Sequence, residues 1–376
     1  MPTSTGSGER AMTAVPATAA PRASTAAAPP RALTYAEALR EATEQEMACD
    51  ASVIVLGLGV DDPRPIYGTT AGLAERFGRD RVVNTPLAEE GMTGVAIGAA
   101  LGGLRPIHVH IRMDFLLLAM NQLVNVAAKA HYMYGGAVAV PLVIRAVIGK
   151  SWGQGAQHSQ GLHALFMHVP GLKVVAPSTP HDAKGALIQA IRDDNPVIFV
   201  EHRLLHGLAG PVPEAPYTVP FGRARVLAEG GDVTIVGVSY MAVEALRARS
   251  LLARAGIAAE VIDPVSLSPL DMDTIEASAR RTGRLLVVDS AWTSCGATAE
   301  IVAQAVERLQ GGGSELRIRR LGFAPVVCPT TRPLEDLFYP TPRTIAAAAH
   351  ALVHGNPDRW EPGDEAPDPV EFKGPF

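Results

Sequence analysis

Two short segments carry the residue types that do chemistry. The first is NTPLAEEG, Asn84 to Gly91, where a strand-like run turns through Thr-Pro into a helical pattern that starts with two carboxylates, Glu89 and Glu90. The second is GQGAQHSQG, Gly153 to Gly161, a glycine-punctuated polar loop with His158 near its centre. A carboxyl group beside a turn can act as a general acid or base, and an imidazole changes charge near neutral pH. Plainer readings stand beside both. Acidic residues at a helix start are favourable end charges, worth about 0.3 to 1 kcal/mol each at an exposed site, and a histidine in a polar loop can be an ordinary surface residue. Familiar signatures are missing: no G-x-G-x-x-G follows the first apolar strand, and G-x-x-x-x-G-K-[ST] and H-E-x-x-H do not occur.

The elements that must hold these segments alternate. Residues 33 to 49 have helical spacing, Val53 to Gly57 form a short apolar strand, and Asp61 to Tyr67 read as a polar loop. A helix over Thr70 to Phe77 and a strand over Arg81 to Asn84 follow. Ala88 to Leu104 read as one helix, with Gly94, Gly98 and Gly102 four apart on one face. Interior glycines cost roughly 1 kcal/mol each against alanine, so the stripe expects a close approach, either within the domain or from a subunit or cofactor. Strands are expected at Pro106–His110, Pro141–Ile144, Lys173–Ala176 and Pro196–Val200, with helices at Leu116–Ala130, Leu162–Met167 and Asp182–Ile191. The strands are apolar throughout rather than alternating, as in a parallel sheet covered on both faces. Polar loops beyond the carboxyl ends of such strands are where α/β folds place ligands.

His202 to Pro216 show no pattern and read as a linker. A second βα series starts near Phe221: strands at Val233–Ser239, Ala258–Asp263, Leu285–Ser290 and Leu316–Leu321, with helices at Met241–Ala255, Asp271–Arg281, Thr298–Leu309 and Thr344–Val353. The expected fold is two three-layer α/β domains, residues 31–205 and 226–355, joined by a linker over 206–225. The first thirty residues are Ala, Thr, Ser, Pro and Gly rich, lack Leu and aromatics, and are expected to form a disordered tail. They lack the apolar core of a secretory signal, and Arg10 and Arg22 are a thin basis for an organellar leader. Residues 356–376 read as an extended tail.

Composition narrows the function classes. The chain has 376 residues, 33 Lys and Arg against 38 Asp and Glu, and a formal charge of -5, which argues against a dedicated nucleic-acid binder. Cys49, Cys295 and Cys328 are scattered, a poor basis for a disulfide framework or a zinc site and in keeping with a reducing cytoplasm. No uncharged apolar run reaches 18 residues, so no membrane span is expected.

NTPLAEEGMTGVAIGAALGGLRPI, NQLVNVAAKAHYMYGG, GAQHSQ, HVPGLKVVAPSTPHDAKG and IRDDNPVIF follow one another in this order. Together they resemble the β subunit of the thiamine-diphosphate-dependent 2-oxo acid dehydrogenase E1 component, a family that includes the pyruvate, branched-chain and acetoin enzymes. The resemblance covers about residues 34 to 355. It implies a pyrimidine-binding α/β domain followed by a transketolase C-terminal-type domain. It also implies an α2β2 assembly with thiamine diphosphate at the α/β interface, and Mg2+ and the diphosphate held by the α partner. The partner's GDG…N motif has no match here: Gly230-Gly231-Asp232 comes nearest and lacks the downstream Asn.

The resemblance assigns roles residue by residue. Glu89 stands where the family's essential glutamate bonds N1' of the aminopyrimidine, favouring the 4'-imino tautomer that takes the proton from C2. Phe115 matches an aromatic packed on the pyrimidine, although a plain core phenylalanine would read the same. His158 matches the histidine beside the reacting carbon, with Gln157 at the cofactor and Ser159 steadying the loop. Glu90 falls at a variable position and reads as surface charge. Leu142, Ala190, Asp193 and Asn195 match a monovalent cation site, usually potassium, although an Asp-Asn pair before Pro also makes a turn without an ion.

The sequence also departs from the family. Leu58 and Gly59 stand where the family commonly has two acids, Val109 where it often has a glutamate, and Asp289-Ser290 where glutamates are usual. Those changes leave the acceptor open. A 2-oxo acid dehydrogenase passing its acyl group to a lipoyl acyltransferase is the leading expectation. A transketolase-like or acyloin-forming carboligase subunit is a second, and a non-catalytic scaffold subunit a third.

Overall fold

In the computed structural model, described over residues 31–63, 67–150, 153–309, 316–355 and 360–363, fourteen strands fall into three sheets. The expected tail over residues 1–30 lies outside the described residues. The first half contains β1 (Ala32–Thr34), α1 (Tyr35–Cys49), β2 (Val53–Gly57), α2 (Leu73–Phe77), β3 (Val82–Asn84), α3 (Glu89–Leu101) and β4 (Arg105–His110). After two irregular helical turns come α4 (Ala128–Met133), β5 (Val143–Ile148), α5 (His163–Met167), β6 (Lys173–Val175), α6 (Pro180–Arg192), β7 (Val197–His202) and β8 (Ala209–Pro211). The second half contains β9 (Arg225–Ala228), β10 (Val233–Gly237), α7 (Tyr240–Arg254), β11 (Ala259–Asp263), β12 (Ser266–Ser268) and α8 (Met272–Thr282). It closes with β13 (Arg284–Trp292), α9 (Ala297–Leu309), β14 (Arg317–Phe323), α10 (Arg332–Glu335) and α11 (Pro342–His354).

Local chemistry sets the helix starts. The Thr34 hydroxyl accepts from the Glu37 N–H while the Glu37 carboxylate accepts from the Thr34 N–H, a reciprocal cap that opens α1. Thr179 caps α6, and Pro180 fills the first helical position, where no N–H is needed. These two helices pack together, and the core that includes Leu39, Ala42, Ala186 and Leu187 excludes water there. β5 and β7 are buried along their whole length, which explains their mainly apolar character, and the charges they do carry, Arg145 and Glu201, pair with each other at 2.6 Å.

The first large sheet has the order β12-β6-β7-β5-β4-β2-β3 and the second β14-β13-β10-β11-β9. Both are the sheets of α/β domains. Around β2 the chain turns first to β3 on one side, then crosses to β4 on the other, and both pairings are parallel. That reversal of direction opens a crevice beyond the carboxyl ends of β2, β3 and β4.

The two halves interlock. β12 belongs by sequence to the second half but pairs antiparallel with β6 of the first. Asp263, at the end of β11, accepts hydrogen bonds from the N–H of Ser178 at 3.0 Å and from its hydroxyl. The imidazole of His163 meets Asp289 at 2.8 Å, both fully buried.

Several expectations need correction. The stretch read as a linker over 206–225 contains β8, which pairs with β1, and β9 begins at its end; strands of three or four residues are too short to show a period. The helix expected over 116–130 is a 3-10 turn (Met113–Ala119), then a π turn (Gln122–Ala127) leading into α4. The helix expected over 88–104 ends at Leu101, with Gly102 as its C-cap. Its glycine stripe meets little within the chain: a Cβ on Gly94 would reach only Gln122 Cγ at 4.0 Å, and on Gly98 nothing within 4 Å. In the tail expected over 356–376, Trp360 stacks on His350 of α11 with centroids 4.4 Å apart; residues 356–359 and 364–376 lie outside the described residues.

Candidate active site

The crevice at the ends of β2, β3 and β4 holds a cavity of about 290 Å³. Each wall comes from a strand end or from the loop that follows it. Leu58 follows β2, Thr85 to Glu89 lead from β3 into α3, and His110 to Arg112 leave β4. Gly57 is needed where β2 meets β4, since a Cβ there would lie 2.6 Å from the carbonyl oxygen of Val109. Asn84 ties the corner, its side-chain oxygen accepting from the N–H of Gly59 at 2.9 Å.

Glu89, Phe115 and His158 all line this cavity, from segments far apart in sequence. Glu89 is half-buried in the first turn of α3, and its carboxylate has no hydrogen bond or ion pair among the described residues. Its neighbours in the wall include Met92, Val109 and Phe115. An acid without a partner in a largely apolar hollow fits a basic heteroaromatic ring nitrogen, which would supply the missing hydrogen-bond partner. The His158 ring meets the Phe115 ring edge-on, with centroids 5.2 Å apart and planes at 82°. Burial pushes the His158 imidazole below its ordinary value, and the guanidinium groups of Arg112 and Arg203 act in the same direction, while Asp114 opposes them.

The loop carrying His158 is fixed from both halves of the chain. A Cβ on Gly161 would lie 2.0 Å from the Ser290 carbonyl oxygen, so only glycine lets the loop rest on β13. Asp114 accepts from the Gln160 N–H at 3.2 Å and from the Gln160 side-chain amide at 2.9 Å. Arg203 donates to the His158 carbonyl at 3.1 Å. Ser159 is buried beneath the loop.

Gln157, expected at the cofactor, is exposed and does not line the cavity. Gln154 of the same loop does not line the cavity either, but it holds Arg112, which does: its side-chain oxygen accepts from Arg112 Nε at 3.0 Å and from Arg203 Nη1 at 3.2 Å. His108 and His110 also line the cavity, 3.3 Å apart between ring nitrogens. Burial drives His108 down to about 4 and His110 well below its ordinary value, so both are neutral at pH 7. Sequence reasoning misses the wall residues His108, His110 and Arg112, at which only the run H-V-H-I-R hints. Glu90 is exposed and accepts from Gln122 at 3.1 Å, as a surface acid does. Asp289, which stands where the family usually has a glutamate, does not line the cavity; it is the buried partner of His163.

Leu142, Ala190, Asp193 and Asn195 lie at a different corner. The Leu142 carbonyl accepts from the Val197 N–H at 2.9 Å, and the Ala190 carbonyl from the Asp193 N–H at 3.2 Å. The Asp193 carboxylate accepts from the Asn195 N–H at 2.9 Å and pairs with Lys173. Arg105 reaches the carbonyls of Ile191 at 3.0 Å and Asp193 at 3.2 Å. The carbonyls suit a cation, whereas the carboxylate already has an ammonium partner. No group of three or more His, Cys, Asp or Glu able to hold a metal occurs among the described residues.

Two large α/β sheets thus frame a cavity in which an acid and a histidine meet at a strand-order reversal. Sequence comparison agrees with this geometry. Residues 31–207 match the transketolase pyrimidine-binding domain and residues 222–345 the transketolase C-terminal domain. The β subunit of acetoin:2,6-dichlorophenolindophenol oxidoreductase from Cupriavidus necator is 46% identical over 85% of this chain and 96% of its own length. The pyruvate dehydrogenase E1 component β subunit of Rickettsia bellii is 46% identical over 71% of this chain and 82% of its own. Among solved structures, a split-gene transketolase described as an inactive β4 tetramer superposes with a TM-score of 0.69 at 24% identity, over 85% of this chain and 98% of that one. The chain belongs to the β subunits of the E1 component of the thiamine-dependent 2-oxo acid dehydrogenases.

Proposed function

We propose that this chain supplies the catalytic acid and the substrate-side histidine of a heteromeric enzyme that decarboxylates a 2-oxo acid and transfers the remaining acyl unit, with a lipoyl domain as acceptor. The observation that carries the reading is the meeting of Glu89, Phe115 and His158 in one cavity. Thiamine diphosphate, when bound, supplies the electron sink for the pair left as carbon dioxide departs. Glu89 is the residue to hold a proton at the pyrimidine ring nitrogen, and the edge of Phe115 limits where that ring can lie. His158, neutral near pH 7, can donate one hydrogen bond and accept another on the substrate side.

The diphosphate and Mg2+ belong to an α partner in this reading, and the assembly is an α2β2 heterotetramer. Support comes from the surface beside the site. Leu87 just before α3, Val95 on α3, Leu118 on the first turn after β4, and Tyr132, Met133 and Tyr134 at the end of α4 are exposed. So much apolar surface on one set of packed elements marks an interface. The open glycine face of α3 lets another backbone approach there. Gln157, exposed on the His158 loop, would meet such a partner in this reading. No helix among the described residues is long and apolar enough to cross a membrane. At the corner of Leu142, Ala190, Asp193 and Asn195 a monovalent cation would serve stability, using the second lone pairs of the carbonyls. Melting in potassium chloride at least a few degrees above melting in choline chloride would support it, and equal melting would assign the corner to Lys173 and Arg105 alone.

One observation favours a carboligase as the second reading. Leu58 and Val109, which stand where the family carries acids, both line the cavity. Acceptor assays separate the two. The α/β complex, given a 2-oxo acid, should reduce ferricyanide. Acylation of a lipoyl domain then supports the dehydrogenase, and a new carbon–carbon bond with an aldehyde supports the carboligase. No ferricyanide reduction with any 2-oxo acid would reject both.

A further inference from the structure

The loop that carries His158 is held by a buried cation. Arg203 lies just beyond the end of β7, is 1% exposed and does not line the cavity. Its guanidinium fork is given to two residues of the loop. Nη1 donates to the side-chain oxygen of Gln154 at 3.2 Å, and Nη2 donates to the carbonyl oxygen of His158 at 3.1 Å. Asp114 grips the same loop with the opposite charge, accepting from the N–H and the side-chain amide of Gln160. A third grip comes from the second half of the chain, where the buried Glu335 carboxylate accepts from the Gly153 N–H at 3.2 Å. Hydrogen bonds with one charged partner are roughly twice as strong as neutral ones.

A loop of this composition needs support from outside. Gly153 and Gly155 take φ 59° and 67°, and glycine loses more freedom on ordering than any other residue. Of the three grips, only Arg203 bonds to His158 itself. Burying a guanidinium is costly unless its donors are used. Here Nη1 and Nη2 serve the loop, while Nε has no hydrogen-bond partner among the described residues. An apolar side chain would fill the space without that cost, so the fork points to a task at the histidine. Resting on the functional reading above, we infer that Arg203 is a positioning residue: it meets neither substrate nor cofactor and acts on the reaction through His158, whose main chain it holds. Its charge has a second consequence. Burial and the guanidinium groups of Arg112 and Arg203 hold the imidazole below its ordinary pKa, and Asp114 opposes them. Removing the Arg203 charge therefore moves that pKa upward.

The test uses the chain assembled with its α partner. Arg203→Met should lower kcat for ferricyanide reduction with a 2-oxo acid by about 100-fold, the effect of about 1 Å of misplacement. KM should change far less, and exchange at the cofactor C2 should stay near the wild-type rate. Arg203→Lys keeps the charge but lacks the fork, and should recover part of the loss. The deciding readout is a double-mutant cycle: in the His158→Ala background, Arg203→Met should lower kcat by less than about twofold. A loss there as large as with His158 present, or no loss in either background, would overturn the inference. Should Arg203→Met fail to assemble, Arg203→Lys carries the same cycle, and its loss must vanish in His158→Ala. A readout apart from turnover follows the His158 ring by NMR in the complex, its signal assigned by its disappearance in His158→Ala. Its titration midpoint should rise in Arg203→Met and stay near wild type in Arg203→Lys. If no 2-oxo acid turns over but the midpoint moves in this way, the functional reading falls and the role of Arg203 stands. If the midpoint is the same in all three proteins, the inference falls whatever the turnover.

Discussion

The rings of His158 and Phe115 meet edge to face with their centroids 5.2 Å apart, and both open on the cavity that holds the Glu89 carboxylate. The histidine comes from a loop resting on the second half of the chain, and the phenylalanine from the turn after β4. Their contact helps fix where the His158 imidazole lies relative to the Glu89 carboxylate.

His158→Ala in the assembled enzyme should therefore spare the first proton removal and slow a later step. Loss of a hydrogen-bond donor to a developing oxyanion costs about 3 to 4 kcal/mol, or 10² to 10³ in rate. Exchange at the cofactor C2 should stay within a few-fold of wild type, while ferricyanide reduction with a 2-oxo acid falls by that factor. Unchanged reduction, with unchanged transfer to lipoyl and aldehyde acceptors, would make His158 a bystander.

The pairing of His163 with Asp289 predicts a stability effect without a chemical one. Both side chains are fully buried, 2.8 Å apart, and they join α5 of the first half to β13 of the second. Removing one member of a buried pair costs about 3 to 5 kcal/mol. Asp289→Ala should shift the urea midpoint downward by that equivalent, with the unfolding slope unchanged. A shift below about 1 kcal/mol would mean that the pair does not hold the halves together.

Asp263 gives a pH signature. Burial raises its carboxyl to about 7, against hydrogen bonds from Ser178 and Val265 that favour the ionised form, while nearby Asp182 raises it further. The folded state thus binds a proton more tightly than the unfolded one. Its stabilising effect is complete below the unfolded value near 4 and is lost as pH rises toward 7, at about 1.4 kcal/mol per pH unit. Asp263→Asn should remove this loss, so the difference in stability between variant and wild type should move in favour of the variant between pH 5 and 7. Parallel stability curves over that range would refute the raised carboxyl.

What was legible in the sequence was what is local in it. Glu89 and His158 sit in contiguous motifs, and the longer strands and helices announce themselves by apolar runs. The misses are non-local or very short. Gln154 and Gln157 are three apart in one loop; the turns at Gly153 and Gly155, at φ 59° and 67°, set the backbone on which one meets Arg112 and Arg203 and the other is exposed. Arg112 gains meaning only when β4 ends beside the 153–161 loop. β12 reads as part of the second half and joins the sheet of the first, a pairing that no period along the chain could show. Asp289 reads in the sequence only as a departure from the family, because its partner, His163, lies 126 residues away.

The central claim is that Glu89 supplies the acid at the pyrimidine ring of a shared active site. The most direct measurement is hydrogen–deuterium exchange at C2 of thiamine diphosphate, followed by proton NMR in the α/β complex. Glu89→Gln keeps the shape of the side chain and removes its titratable proton. The exchange rate should fall by at least about 100-fold, the lower range for a positioned acid or base, while cofactor affinity changes far less. Exchange at the wild-type rate in Glu89→Gln would contradict the account.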